Sequence, residues 1–335
     1  MLTFTIRRLI LAIPTLIFIS FVIFLIVKLS PSDPTAGLPL TIPPEVREAI
    51  RESLGVNDPI FVQYFKWLKL MVWDEPLHLL DGWFGTSMAP DGPRIISYQT
   101  RSPVMELIMQ RMPQTLWVVG TSYIVGILIA VPLGVISAYK QYSWFDQIGT
   151  FISMIGFSVP TFFTGVLFIV IFAVNLGWFP SVYDTTLEVT DWETFWAQIR
   201  QMIMPVMVLG LFNASQISRY MRASMLDNLN QDYVRTARAK GLGESVVVLV
   251  HVLRNSMIPV VTVIALNVPA VFGGAIITEQ VFKVNGIGQL LIIAIQAGDV
   301  PVVQTVSFIF AILIVLFNLI ADILYGVLDP RIRYD

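Results

Sequence analysis

Six stretches of the chain contain no Asp, Glu, Lys or Arg: Leu9–Val27, Met112–Tyr139, Gln147–Tyr183, Gln201–Ser218, Asn255–Thr278 and Val300–Ala321. A helix needs roughly 20 apolar residues to cross a hydrocarbon core of about 30 Å. The third stretch is longer than that. Its tail, Asn175-Leu-Gly-Trp-Phe-Pro180, carries turn residues and interfacial aromatics, which places the helix end near Val174. The fourth is short, but its helix is expected to run on into the charged Arg219–Asp227 segment. The pattern predicts an all-α polytopic membrane bundle of six transmembrane helices. Arg7 and Arg8 ahead of the first stretch resemble the start of a signal peptide. Its apolar core of 19 residues is too long for one, and no small-x-small cleavage site follows Lys28-Leu-Ser-Pro-Ser-Asp-Pro34. It reads as a retained helix.

Two regions between the stretches have patterns of their own. Ser30–Arg111 is far longer than a helix–helix connection. Pro43-Pro44-Glu45 reads as a helix start, with Val46, Ala49, Ile50 and Leu54 at helical spacing and Gly55 as the stop. After the Asn57-Asp58-Pro59 turn, Ile60–Trp73 sets Gln63, Lys66 and Lys69 among Phe61, Tyr64, Phe65, Trp67, Leu68, Leu70 and Trp73. That mixture suits a helix at a membrane interface, serving as a packing collar over the bundle or as a surface for an external partner. The other region, Arg219–Arg254, carries six basic and three acidic residues. Its middle, Asp232-Tyr-Val-Arg-Thr-Ala-Arg-Ala-Lys-Gly241-Leu-Gly-Glu244, combines helix-forming alanines with two glycines. It reads as a docking helix rather than a solvated linker. The expected segmentation is a first helix over 1–29, an extracytoplasmic segment over 30–111, a five-helix core over 112–326 containing the 219–254 loop, and a tail over 327–335.

Composition agrees with a bilayer setting: 56% of residues are hydrophobic and 13% charged, against about 45–50% and about 25% in soluble domains. A net charge of −2 gives no sign of a nucleic-acid partner. With no Cys, and His78 and His251 as the only histidines, no metal site is expected. Placing the N-terminus inside gives the inner side 11 basic and six acidic residues, and the outer side 10 basic and 16 acidic. The positive-inside rule then puts both termini in the cytoplasm.

Energy for transport has no visible source in the chain. There is no G-x-x-x-x-G-K-[ST], and Gly286-Ile-Gly288-Gln-Leu-Leu291 lacks the third glycine of a dinucleotide fingerprint. No nucleophile–base pair can be drawn from the spans, which argues against an intramembrane enzyme. Asp322, one residue beyond the sixth stretch and close to its inner end, is the one acid placed inside a span. That position suits an interfacial ion pair with an Arg better than a proton relay. Proline and glycine loosen the second, third and fifth stretches at Pro132, Gly134, Gly156, Pro160, Asn267-Val-Pro269, Gly273 and Gly274. Such residues serve packing more often than ligand binding. Pro160, Asn267, Pro269, Gly273, Gly274 and the following Glu279 are the candidates for a translocation pathway.

The Arg235–Arg254 stretch resembles the cytoplasmic "EAA" loop of ABC-importer permeases. Ala237, Gly241 and Leu253 match that loop literally, and the spelling D-Y-V-R-T-A-R-A-K-G-L with H-x-L-R-N is that of the oligopeptide/dipeptide branch. Arg7-Arg8-Leu9, Ile13-Pro14-Thr15, Trp83-Phe-Gly-Thr-Ser87, Gly177-Trp-Phe-Pro180, Asp299-Val-Pro-Val-Val-Gln304 and Leu328-Asp-Pro-Arg-Ile-Arg333 extend the resemblance along the chain. Met88–Gln99 departs from it by seeming length. The resemblance implies the type I ABC importer permease fold and a place in the bacterial or archaeal plasma (inner) membrane. Its implied partners are a second homologous permease, two cytoplasmic ATPases that carry ATP and Mg, and an extracytoplasmic solute-binding protein. No cofactor is implied for this chain, and no catalysis. Arg235, Ala237, Arg238, Gly241, Leu242 and Glu244 then couple the chain to the ATPases. Peptides are the expected cargo, with nickel, oligosaccharides and opines as alternatives inside the family. An ion-coupled secondary transporter is the alternative outside it.

Overall fold

The computed structural model describes residues 2–29, 43–45, 48, 57–86 and 92–328. Most of the expected Pro43–Gly55 helix, the first residues of Met88–Gln99 and the tail beyond Leu328 lie outside them. The described residues are helical nearly throughout, with a single isolated β-bridge between Ile96 and Pro103. In order they form α1 (Leu2–Leu29), α2 (Ile60–Lys69), α3 (Glu75–Phe84), α4 (Val104–Thr115), α5 (Thr121–Tyr139), α6 (Trp144–Ser158), α7 (Thr161–Phe168) and α8 (Trp192–Leu229). Then follow α9 (Asp232–Ala239), α10 (Glu244–Val246), α11 (Leu253–Gly273), α12 (Ile276–Phe282), α13 (Ile287–Ala297) and α14 (Val300–Leu328). Short π-type stretches join α2 to α3, α4 to α5 and α10 to α11, and a further one extends α7 to Asn175.

Among the described residues, five helices are long and apolar enough to cross a membrane: Thr5–Leu29, Val104–Tyr139, Trp192–Leu229, Glu244–Gly273 and Val300–Leu324. Two helix pairs qualify only as bent units, Trp144–Ser158 with Thr161–Asn175 at 103° and Ile276–Phe282 with Ile287–Ala297 at 94°. The expected six spans fall within this range of five to seven, and the structure departs from the charge-free stretches in two places. The third stretch breaks at Val159, which is extended (φ −81°, ψ 126°) ahead of Pro160, as steric conflict with a following proline ring favours. The fifth stretch ends at Gly273 instead of running to Thr278, because Gly274 takes φ +72°. The stretch after Glu279, expected to be an outer loop, is largely helical.

By contacts the chain divides into two compact units. One comprises the residues up to Leu9, Pro113–Gln289 and the residues from Leu316; the other comprises Ile10–Met112 and Leu290–Val315. In the first, α5 lies against α8 along a seam of small residues, Gly126, Ala130 and Gly134, spaced i, i+4, i+8. A Cβ on Gly126 would stand 2.8 Å from Asn213 Cβ, and one on Gly134 would stand 2.6 Å from Met221 Cβ. Small residues let helix backbones approach where lipid supplies no hydrophobic drive between helices. Gly134 is therefore a packing residue, and so is Gly156, where a Cβ would collide with Ser215 Oγ. α6 is further tied to α8 by the bidentate pair of Arg222 with Asp146, both contacts 2.7 Å. Tyr123 donates to the Ile264 carbonyl at 2.7 Å and Ser224 to the Ser256 carbonyl at 2.9 Å, which fixes α11 to α5 and α8. Asp322 pairs with Arg8 at 3.0 Å, the structural role its position suggested.

The 38-residue α8 carries the fourth stretch beyond its apolar part, as expected. It starts with a capping box: Asp191 accepts from Thr194 N at 2.8 Å, and Thr194 Oγ1 accepts from Asp191 N at 3.0 Å. Asp191→Ala should destabilise the start of α8 slightly by removing this cap. A small fall in the thermal unfolding midpoint of the detergent-solubilised protein would record it. In the second unit, Asp299 is buried and accepts from Ser97 Oγ and from Tyr98 N at 3.0 Å and Gln99 N at 3.2 Å. The Ile95–Gln99 segment is held there, and Glu75 accepts from Ile95 N at 2.6 Å.

Candidate functional site

Two places in the first unit combine exposed or buried polar groups with unusual backbone. The first is the loop after α8. α9 presents Val234 and Ala237 to the core, where they meet Met221, Met225, Val247, Val248 and Val252. Its other face, with Asp232, Arg235 and Thr236, is exposed. A solvated linker would not bury one side in this way. Gly241 has φ +76°, and Leu242 N reaches back to the Ala237 carbonyl at 3.4 Å, closing the helix in a Schellman-like turn. Arg238 spans that turn and clasps Glu244 through two hydrogen bonds of 2.7 and 3.2 Å. The Arg238 guanidinium is held above its ordinary pKa, first by the hydrogen bond to Glu244.

Of the six residues assigned to coupling, Arg235, Arg238, Gly241 and Leu242 are exposed and Glu244 is half-buried, all near one turn. Ala237 points inward and anchors the helix instead of meeting a partner. Among the described residues, no atom outside Gly241 and its two chain neighbours lies within 4 Å of where a Gly241 Cβ would stand. The glycine is thus required by its backbone angle, and its outer side is open.

The second place surrounds Glu279, which is 1% exposed. Its Oε1 accepts from Thr115 Oγ1 at 3.1 Å and its Oε2 from Gln289 N at 3.0 Å. Thr115 Oγ1 in turn accepts from Ile287 N at 2.8 Å, so its own proton is committed to Glu279. Three glycines close around the carboxylate. A Cβ on Gly274 would lie 2.6 Å from Glu279 Oε1, one on Gly286 2.6 Å from Glu279 Cδ, and one on Gly288 2.7 Å from Ile276 Cα. The arrangement ties the end of α11, the α12–α13 bend and α4 to one buried acid. Gly286-Ile-Gly288, rejected above as a nucleotide fingerprint, serves this closure.

Among the pathway candidates the structure brings together Gly274 and Glu279. Gly273 is the last residue of α11, next to them in sequence. Pro160 sits instead at the α6–α7 bend, where its carbonyl accepts from Phe163 N at 3.0 Å and Thr164 N at 3.2 Å. Asn267 donates back to the Val263 carbonyl at 2.8 Å within α11, and Pro269 is buried in the same helix. Thr115 was missed by sequence reasoning; an apolar stretch gave no sign that this hydroxyl would meet an acid 164 residues away.

Residues 130–334 match the family described as "Binding-protein-dependent transport system inner membrane component". Residues 1–119 match its companion description, the N-terminal part of such a membrane component. The chain is 41% identical over 338 residues to the Oligopeptide transport system permease protein AppB of Bacillus subtilis (strain 168), covering 100% of both chains. It is 37% identical, again over 100% of both, to the Glutathione transport system permease protein GsiC of Salmonella paratyphi A (strain ATCC 9150 / SARB42). The Dipeptide transport system permease protein DppB of Alkalihalophilus pseudofirmus is 36% identical over 352 residues and 100% of both chains. Among solved structures, one of an amino acid ABC transporter with histidines overlaps 68% of this chain and 95% of its own, at TM-score 0.47 and 12% identity.

Proposed function

The chain belongs to the family of binding-protein-dependent transport system inner membrane components, and on that premise we propose that it forms half of the membrane pathway of an ATP-driven peptide importer. A second homologous permease supplies the other half. Two cytoplasmic ATPases drive the pair, and an extracytoplasmic binding protein delivers the cargo. Full-length relatives named for oligopeptide, dipeptide and glutathione transport support a short peptide as that cargo. In this reading both termini and the α9 loop face the cytoplasm of a bacterial or archaeal cell.

The observation that carries the coupling role is the α9 turn. A helix anchored by Val234 and Ala237 presents Arg235, Arg238, Gly241 and Leu242 as a rigid knob. A partner that pushes on the knob moves the buried valines behind it, and with them α8 and α11. Packed helices respond to such a push as a bistable unit and convert it to alternating access. The pathway itself is assigned to the broken helices around Gly274 and Glu279, since irregular backbone at membrane depth is tolerated where protein or a cavity surrounds it.

The test is uptake of labelled di- and oligopeptides by vesicles holding the complete transporter. Uptake should require ATP and binding protein and should persist when a protonophore collapses the proton gradient. Loss under the protonophore with ATP present favours the ion-coupled carrier instead. The sidedness is checked separately. Because the chain has no Cys, Glu188→Cys and Asp232→Cys should each react with an impermeant thiol reagent from one side only, and from opposite sides.

A further inference from the structure

We propose that α2, although it belongs to the long segment between α1 and α4, lies inside the bilayer, with its Phe61–Phe65–Val72 face against lipid acyl chains. The carrying observation is where α2 touches α1. The Tyr64 hydroxyl sits 2.8 Å from Ser20 Oγ and 3.2 Å from the Ile17 carbonyl. Phe21 stacks on Phe61 with ring centroids 6.0 Å apart, and Phe24 packs against Tyr64 at 5.6 Å and Trp67 at 5.9 Å.

α1 ends at Leu29. At 1.5 Å per residue, Ser20 and Ile17 lie about 13 and 18 Å below that end. The apolar span Thr5–Leu29 measures about 37 Å against a hydrocarbon core of about 30 Å. Even with all the excess protruding on the Leu29 side, Tyr64 stays about 6 Å or more inside the core. A second helix gives the same depth independently. Trp67 packs on Phe308 at 5.4 Å, and Phe308 lies about 12 Å along α14 from its start at Val300.

The chemistry fits that depth. The Tyr64 hydroxyl is fully partnered inside the protein, as a polar group removed from water requires. Away from Tyr64 and Trp67, α2 and the π-type stretch that follows it bear Phe61, Phe65, Val72 and Trp73, each more than half exposed, with Phe61 at the margin where it stacks on Phe21. This face continues directly from the exposed Ile13, Ile17 and Phe18 side of α1, itself a membrane span, through the Phe21–Phe61 stack. Lys69, near the end of α2 that advances toward the outer side, can carry its charge to the headgroups on its long stem, and Lys66 is neutralised by Asp58 in an ion pair of 2.6 Å. Phe61 meets α1 at Phe21 and Trp67 meets it at Phe24, so six residues of α2 advance three along α1 and the helices cross obliquely. α2 is a dipping helix and not a collar above the membrane.

The test uses the complete transporter in phosphatidylcholine–phosphatidylglycerol vesicles, with a nitroxide on single cysteines at Phe61→Cys, Phe65→Cys or Val72→Cys. Phe18→Cys and Glu188→Cys mark the lipid-facing and water-facing limits. Power saturation with dissolved oxygen and with a water-soluble nickel chelate reads the environment. Labels on α2 should collide with oxygen far more than with nickel, as at Phe18. Nickel collisions matching those at Glu188 would overturn the proposal. Protection from both reagents would overturn it too, because the face would then be covered by another chain. If one cysteine variant fails to fold, the other two positions still decide.

Discussion

Gly241→Val is expected to abolish ATP-coupled uptake while the membrane bundle still folds and inserts. Gly241 sits at φ +76°, a region where a Cβ crowds the neighbouring carbonyl at a cost of about 1–2 kcal/mol, more for a β-branched residue. Relief of that strain undoes the turn that returns Leu242 N to the Ala237 carbonyl. It also separates Arg238 from Glu244, whose pairing fixes the turn from outside. The helix itself is held by Val234 and Ala237 in the core, so the damage stays local. Gly243 provides the control. It has φ −60° and open space around its missing Cβ, so Gly243→Ala should leave uptake unchanged. Gly241→Asn, which tolerates the left-handed region, should recover much of the loss. The readouts are retention of the ATPases by the solubilised permease and peptide uptake in vesicles. Full retention together with wild-type uptake for Gly241→Val would end the coupling assignment.

The apolar stretches announced five spans and most of their ends, because charge is so costly in lipid that its absence marks membrane residues plainly. Breaks inside those stretches were harder to place. Pro14, Pro113, Pro132, Pro205, Pro259 and Pro269 all lie within helices, whereas Pro160 ends one, and the residue type is the same in each case. What decides between the two outcomes is tertiary, since a membrane bundle tolerates a proline where its neighbours accommodate the freed backbone groups. The α9 helix was legible from its alanines and the Gly-x-Gly that follows, of which Gly241 takes the positive φ. The inward direction of Ala237 was not, because the buried cluster it joins is built largely from other helices. The depth of α2 was hidden for the same reason. Its aromatic and basic mixture signals an interface, and the proposed depth rests on the contacts of Tyr64 and Trp67 with α1 and α14.

Gly288→Ala is expected to be strongly destabilising, more so than replacement of the carboxyl group it neighbours. The added carbon would stand 2.7 Å from Ile276 Cα and 3.0 Å from Ile276 N. Those are backbone atoms of α12, which cannot swing aside as a side chain can, so α12 and α13 must separate. Overpacking of this kind costs about 1–3 kcal/mol. Here it also pulls Gln289 N away from Glu279 Oε2, adding the penalty of a buried donor and acceptor left unpaired, about 1–3 kcal/mol. Glu279→Gln should be milder. One of the two oxygens survives, while the new amide N–H₂ faces a donor from Thr115 or Gln289. Thr115→Val removes the link on the other side and strands Ile287 N, which places it between them. Gly82→Ala, with nothing near its missing Cβ, gives the neutral reference. Thermal unfolding of the solubilised protein should order these variants Gly82→Ala, Glu279→Gln, Thr115→Val, Gly288→Ala from least to most destabilised. Uptake should fall in the same order if the bend around Glu279 moves during transport. A wild-type midpoint for Gly288→Ala would mean that α12 and α13 are not packed through this glycine, and the clasp around Glu279 would lose its basis.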